Sequence, residues 1–208
     1  MAYPTVPAPY GLKPINLIGG QVFAGATRTF KIASGYNTNI FNGDIVTLVS
    51  GGTIEKSNIQ DQDTPVPGLV GVFLGCSFVN AQGQTMYSQY YPAGTTGTIN
   101  AIVCEDPDAL FKVVLVSSDV ENTTAALTPA YLGQTVVGSN VTFVQNTGST
   151  ATGDSAIGVY TPGGAGTAST PARVVDVVPE TANSAGNFTE LIIKFNFGYH
   201  SYYNATGI

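Results

Sequence analysis

The apolar residues of this chain come in short runs, and turn residues separate one run from the next. RTFKIAS (28–34), DIVTLVS (44–50) and TIEKS (53–57) follow one another, with Asn42-Gly43 and Gly51-Gly52 between them. Their β-branched side chains pack well on a pleated surface and lose rotamer freedom in a helix. The glycine-bearing pairs supply the positive φ of tight turns. A chain punctuated in this way folds as an assembly of short strands.

The same reading extends along the sequence. GLVGVFLGCSFVN (68–80) is long for a strand, and its Gly71 and Gly75 predict a bend or bulge where one strand turns a barrel corner. AQG (81–83) closes a hairpin, and QTMYSQYY (84–91) returns. Strict alternation puts Thr85, Tyr87, Gln89 and Tyr91 on one face and Met86, Ser88 and Tyr90 on the other. Tyrosines divided in this way cannot form one stacking platform, so the segment reads as a packed hairpin. GTINAIVC (97–104) and ALFKVVLV (109–116) flank the turn EDPD, and QTVVGS, NVTFVQ, AIGVY, RVVDVV and ELIIKFNFGYHSYY follow as further strands. DVENTTAALTPAYL (119–132) holds the one modest helix signal, with acidic residues at its start. The expected fold is all-β: two small β-barrel or β-sandwich modules at 28–118 and 119–208, at most one short helix, and an extended proline-rich arm at 1–27.

That arm carries Pro4, Pro7, Pro9 and Pro14 among Tyr3, Val6, Tyr10, Leu12, Ile15 and Leu17. Proline fixes φ and removes donors, so the segment is extended. It is expected either to lie across a neighbouring subunit or to fold back on its own domain. Only 10% of residues are charged, against about 25% in an ordinary soluble domain. Such a surface is covered by another protein at little desolvation cost. A net charge of −6 argues against binding a phosphate backbone. The first residues lack the cationic and apolar regions of a signal peptide, and no apolar run reaches the roughly 18 residues of a membrane span. Cys76 and Cys104 are expected on neighbouring strands, as free buried thiols in preference to a cross-linked pair.

Candidate chemistry is thin. His200, the single histidine, has no nucleophile motif or spaced ligand cluster to join and is expected to be structural. Glu105, Asp106 and Asp108 are the best carboxylate cluster, yet a turn in which Asp106 caps backbone donors explains them without a ligand; Asp61 and Asp63 are weaker. Glycosylation-type triplets at Asn122, Asn140, Asn187 and Asn204 arise readily in a chain rich in Asn and Thr. No enzyme activity, metal or cofactor is expected.

Several segments in order, NGDIVTLVSGGTIEK, PGLVGVFLGCSFV, TMYSQYYP, EDPDALFKVV, LGQTVVG, GSTATGDSAI, ARVVDVVPE and IIKFNFGYHSYYNATGI, resemble the capsid decoration, or cement, proteins of tailed bacteriophages, especially of marine podoviruses and myoviruses. The pattern of a strand entering after Gly-Asp, a variable loop and a Val-Gly-Val strand is more distantly similar to the head decoration protein of phage lambda. The resemblance implies β-tulip-like modules in a homotrimer on the outer surface of the virion capsid, clamping neighbouring major capsid proteins at threefold and quasi-threefold positions. It also implies synthesis in the host cytoplasm, with no nucleic acid or membrane partner. The residues expected to touch the capsid or a second subunit are Tyr3, Pro4, Val6, Tyr10, Leu12, Ile15, Tyr199, Tyr202 and Tyr203. Removal of residues 1–20 is expected to reduce head occupancy with the fold intact. The competing readings are a tail or fibre protein and a carbohydrate-binding module using Tyr87, Tyr90, Tyr91, Tyr199, Tyr202 and Tyr203.

Overall fold

A computed structural model describes residues 6–59, 68–117, 133–161, 170–182 and 188–208. They form an all-β structure of two antiparallel sheets. The strands are β1 (Lys13–Leu17), β2 (Arg28–Ile32), β3 (Ile45–Leu48), β4 (Ile54–Lys56), β5 (Leu69–Val79), β6 (Thr85–Ser88), β7 (Ile99–Cys104), β8 (Ala109–Val114), β9 (Asn140–Val144), β10 (Gly158–Tyr160), β11 (Ala172–Val177) and β12 (Glu190–Phe195). One sheet runs β2-β7-β5-β3-β4, with β6 beside the far half of β5. A parallel bridge from Lys31 to Thr53 brings its outer strands together, so this sheet closes as a barrel. The other runs β1-β8-β12-β11-β9-β10. It closes where β10 meets the continuation of β8, through the Leu115–Val159 bridge and a 2.8 Å bond from the Val116 N–H to the Val159 carbonyl. Closure removes most of the open edges that would otherwise template aggregation, leaving β1 and β6 at the margins.

Apart from β1, which joins the second sheet, the strands divide between the sheets at the Glu105–Asp108 turn, not near 118, because β8 pairs with β12 (Phe111 with Ile193, Val113 with Leu191). The expected helix at 119–132 lies outside the described residues. QTVVGS, expected as a strand, is instead a short 3-10 turn at Gln134–Val136, in which Val136 alone is buried. Gly138, at φ 87°, then redirects the chain. With one buried residue it has no alternating apolar face to pair.

The N-terminal segment takes the second of its two expected courses and folds back on its own chain. From Val6 to Leu17 it lies on its own chain, whereas most of residues 18–27 are exposed. Val6 and Tyr10 pack against Val114, Val116, Val144 and Phe188, Leu12 is fully buried in the second barrel's core, and β1 pairs with β8. Proline removes donors along the arm but leaves enough pairing to occupy the edge of β8 that β12 does not use. Tyr3 and Pro4 lie outside the described residues.

The near-continuous apolar run of β5 follows from its position between two cores. Leu69 and Val72 face the core that includes Phe111, Phe143 and Phe195, whereas Val70, Phe73 and Cys76 face that of Phe30, Ile54 and Tyr91. Strict alternation cannot give this order. Two bulges supply the missing phase shifts, one opposite Val46–Thr47 and one between Phe73 and Gly75. Gly71 and Gly75 sit at these points, as the sequence predicts. Cys76 and Cys104 are both buried and unpaired with each other.

The junction of the barrels is built on Asn42-Gly43-Asp44. Gly43, at φ 97°, donates to the Phe73 carbonyl at 2.8 Å and accepts from the Leu12 N–H at 3.0 Å. Asn42 donates its amide to the Leu74 carbonyl at 2.7 Å and accepts from Lys13 Nζ at 2.6 Å; Lys13 also pairs with Asp154 at 2.9 Å. The fully buried Asp44 carboxylate accepts from the Phe41 N–H at 2.9 Å and from Ser155 Oγ at 2.6 Å, and it pairs with Lys56 at 3.0 Å.

Two outcomes are expected. Deletion of residues 1–20 removes β1 and Leu12 together, so thermal unfolding followed by circular dichroism loses its cooperative transition or moves to a much lower midpoint; an unchanged midpoint contradicts the packing described. At Gly71, φ is 154° and an added Cβ would lie 2.0 Å from the Cys104 carbonyl oxygen. Gly71→Ala is therefore expected to destabilise by about 3 kcal/mol or more in urea titration.

Candidate functional site

The C-terminal aromatic segment and the EDPD turn, separate in sequence, meet on one surface. Beyond β12, the Tyr199 N–H donates to the Asn196 carbonyl at 3.2 Å, and Gly198 at φ 89° completes a tight turn that places Phe197 at its tip. Phe197 is 82% exposed and stacks on Tyr203 with ring centres 5.7 Å apart. Tyr199 turns inward and is buried, and His200 follows it into the core beside Phe195. A 3-10 turn at Ser201–Tyr203, capped by His200 Nδ1 accepting from the Tyr202 N–H at 3.3 Å, then returns Tyr202 and Tyr203 to the surface.

Each tyrosine meets a carboxylate of the turn, and each of these carboxylates also holds a cation. Tyr202 donates its hydroxyl to Glu105 at 2.6 Å, and Arg28 reaches both Glu105 at 3.2 Å and the Tyr202 oxygen at 2.7 Å. Tyr203 donates to Asp108 at 3.3 Å, while Lys194 pairs with Asp108 at 2.9 Å and lies over the Tyr203 ring. The Lys194 ammonium holds the Asp108 carboxyl below the ordinary carboxylate value. Asp106 accepts from the Asp108 N–H at 2.8 Å, the capping role expected of it. A concavity of about 280 Å³ separates Ala26 and Thr27 from Glu105, Pro107 and Tyr202.

With a cation beside each, Glu105 and Asp108 are poorly placed as a general acid and base. Among the described residues no group of three or more His, Cys, Asp or Glu converges as a metal site. The arrangement suits adhesion: aromatic side chains project from a platform whose charges are already compensated, which keeps desolvation on contact inexpensive.

Of the residues expected to make contacts, Tyr202 is 52% exposed and Tyr203 half-buried, and the two lie together. Tyr199 and Leu12 are buried within the chain. Val6, Tyr10 and Ile15 are half-buried against their own barrel, where Tyr10 donates to Glu190 at 2.5 Å and Lys112 pairs with the same carboxylate. The tyrosines of the carbohydrate reading do not converge either. The chain leaves β6 at Ser88, which breaks the expected alternation: Tyr87 is 81% exposed, whereas Tyr91 is buried against Tyr36 and Tyr90 stacks on Phe41. Phe197, Arg28 and Lys194 escaped the sequence reading. The available signal was an aromatic residue placed directly before a turn glycine.

No known protein family matches the chain, and no curated protein or solved structure shows significant similarity to it.

His200 gives the site a pH signature. Burial pushes its imidazole below the ordinary value of 6.5, outweighing nearby backbone carbonyls that favour the proton. The folded state therefore keeps His200 neutral where the unfolded chain binds a proton. Its contribution is fully present above about pH 6.5 and is lost as pH falls toward the folded value, with a slope of at most about one proton. Urea midpoints measured from pH 7.5 to 5 are expected to fall, and His200→Asn, which keeps an acceptor for the Tyr202 N–H, is expected to flatten that fall.

Proposed function

We propose that this chain is a phage head decoration protein that binds the outside of the capsid and clamps neighbouring major capsid proteins against the pressure of packaged DNA. The observation that carries the reading is the exposed Phe197–Tyr203 stack with Tyr202 beside it, on a base whose ion pairs are internally satisfied. Aromatic anchors with little unpaired charge are what a permanent protein interface favours. The order of segments that resembles decoration proteins, the low charge content and the closed sheets all support it.

A clamp works by raising the cost of separating any one capsid subunit. In the trimeric arrangement that the resemblance implies, three modest contacts act together, because a subunit that lets go at one point rebinds before the others release. The aromatic patch supplies the contact with the major capsid protein, and the trimer supplies the multiplicity. Neither role needs a cofactor or a reacting group.

The test adds purified protein to expanded heads that lack it and measures occupancy by co-sedimentation. Phe197→Ala with Tyr202→Ala is expected to reduce occupancy by at least about tenfold and to lower stability by no more than about 1 kcal/mol, since Phe197 is largely exposed and the Tyr202 hydroxyl bonds are at the surface. Failure of the parent protein to bind heads under any condition, or antibody labelling of the tail alone, overturns the reading.

A further inference from the structure

We propose that a second site, independent of the decoration reading, lies in the cleft between the two barrels and takes a neutral, hydroxyl-rich ligand of the short-oligosaccharide class. The cleft encloses about 640 Å³, within the range of small-molecule pockets. Both halves of the chain build it. Asn37 and Asn39 come from the segment before β3, Asn58 from the exit of β4, and Gln145 and Asn146 from the exit of β9.

Five side-chain amides facing one space are an unusual lining. Each offers donors and an acceptor, the complement of a hydroxyl that both gives and receives a proton. No carboxylate is found among the described residues that line the cleft. The one charged group there, Lys56, is committed to the buried Asp44 at 3.0 Å, so neither a cation nor an anion gains much Coulomb attraction. Phe41 contributes to the lining but is only 2% exposed, which leaves recognition to hydrogen bonds and not to ring stacking.

Part of the lining is already fixed. The Asn39 side-chain oxygen accepts from the Ala93 N–H at 2.7 Å, and Gln145, itself buried, donates to the Ile59 carbonyl at 3.2 Å. Asn146 differs: its Oδ1 is buried and has no hydrogen-bond partner among the described residues. An unsatisfied buried acceptor is costly and calls for an explanation. The Asn146 side chain lines the cleft, so a turn of its amide brings that acceptor to a ligand hydroxyl, and the preset amides lower the ordering cost of binding.

The experiment uses the purified full chain and does not involve heads, so its outcome is separate from that of the decoration reading. Neutral tri- and tetrasaccharides of glucose, mannose and N-acetylglucosamine are titrated into isotopically labelled protein while the side-chain amide resonances are followed by NMR. At least one sugar is expected to shift the Asn37, Asn58 and Asn146 amides saturably. Asn146→Leu is expected to weaken that binding by at least about tenfold with an unchanged unfolding midpoint. The exposed Asn58→Ala, which carries no folding risk, provides a second variant and is expected to weaken it as well. The absence of saturable shifts with every neutral sugar overturns the proposal, as does tighter binding of uronic-acid oligomers than of the neutral set.

Discussion

The buried carboxylate of Asp44 is the interaction on which the two-barrel arrangement turns. An ionised group with no exposure to water is tolerated only when its partners are complete. Here they come from three places: the Phe41 N–H in its own turn, Lys56 at the end of β4, and Ser155 from the second half of the chain. Displacement of Lys56 leaves a charge uncompensated in the interior, at a cost of about 3–5 kcal/mol, and displacement of either neutral donor leaves the carboxylate short of a hydrogen bond. Apolar packing alone tolerates sliding between two β surfaces, whereas a three-partner carboxylate accepts a single alignment.

Around that point the main chain repeats the same demand. The Leu12 N–H binds the Gly43 carbonyl, the Gly43 N–H the Phe73 carbonyl, and the Ser155 N–H the Asn42 carbonyl, so three distant segments are held within one turn. Gly11 and Gly43 are what let them approach: an added Cβ on Gly11 would lie 2.8 Å from the Gly43 carbonyl oxygen. The barrels consequently share a core in which Ile45, Leu69 and Val72 of the first pack with Phe111, Leu191 and Phe195 of the second. Lys56 and Phe41 belong both to this junction and to the amide-lined cleft, so the cleft inherits the rigidity of the junction.

The sequence made some of this legible and hid the rest for physical reasons. Short β-branched runs and the glycines of β5 announced strands and bulges because those depend on local conformation. The capping role of Asp106 was visible for the same reason, since its acceptor and donor are two residues apart. The placement of β1 was not visible, because whether an extended segment covers its own edge or another chain's depends on the edge left free by β8, which is a property of the sheet. Tyr91 was misassigned with Tyr87 because alternation holds only while pairing persists, and pairing ends at Ser88. Asp44 gave no signal of its importance, as its partners lie 12 and 111 residues away along the chain. At the candidate site Tyr202 and Tyr203 could be named, but not the cations that neutralise their carboxylates, which come from opposite ends of the sequence.

The covered edge of β8 bears on how a decoration protein of this design would hold a shell. β1 occupies that edge of β8, so strand addition at β8 is not the mode of attachment. In the clamp proposed above, contact is made through side chains, chiefly the aromatic tip formed by Phe197, Tyr202 and Tyr203. Because Glu105 and Asp108 are paired within the chain, such a contact releases few counterions and draws little on long-range attraction. It depends instead on apolar burial, which is insensitive to moderate salt. In that proposal, an apolar contact carried on barrels joined at Asp44 would pass an outward load through the whole protein without asking any strand pair to slip.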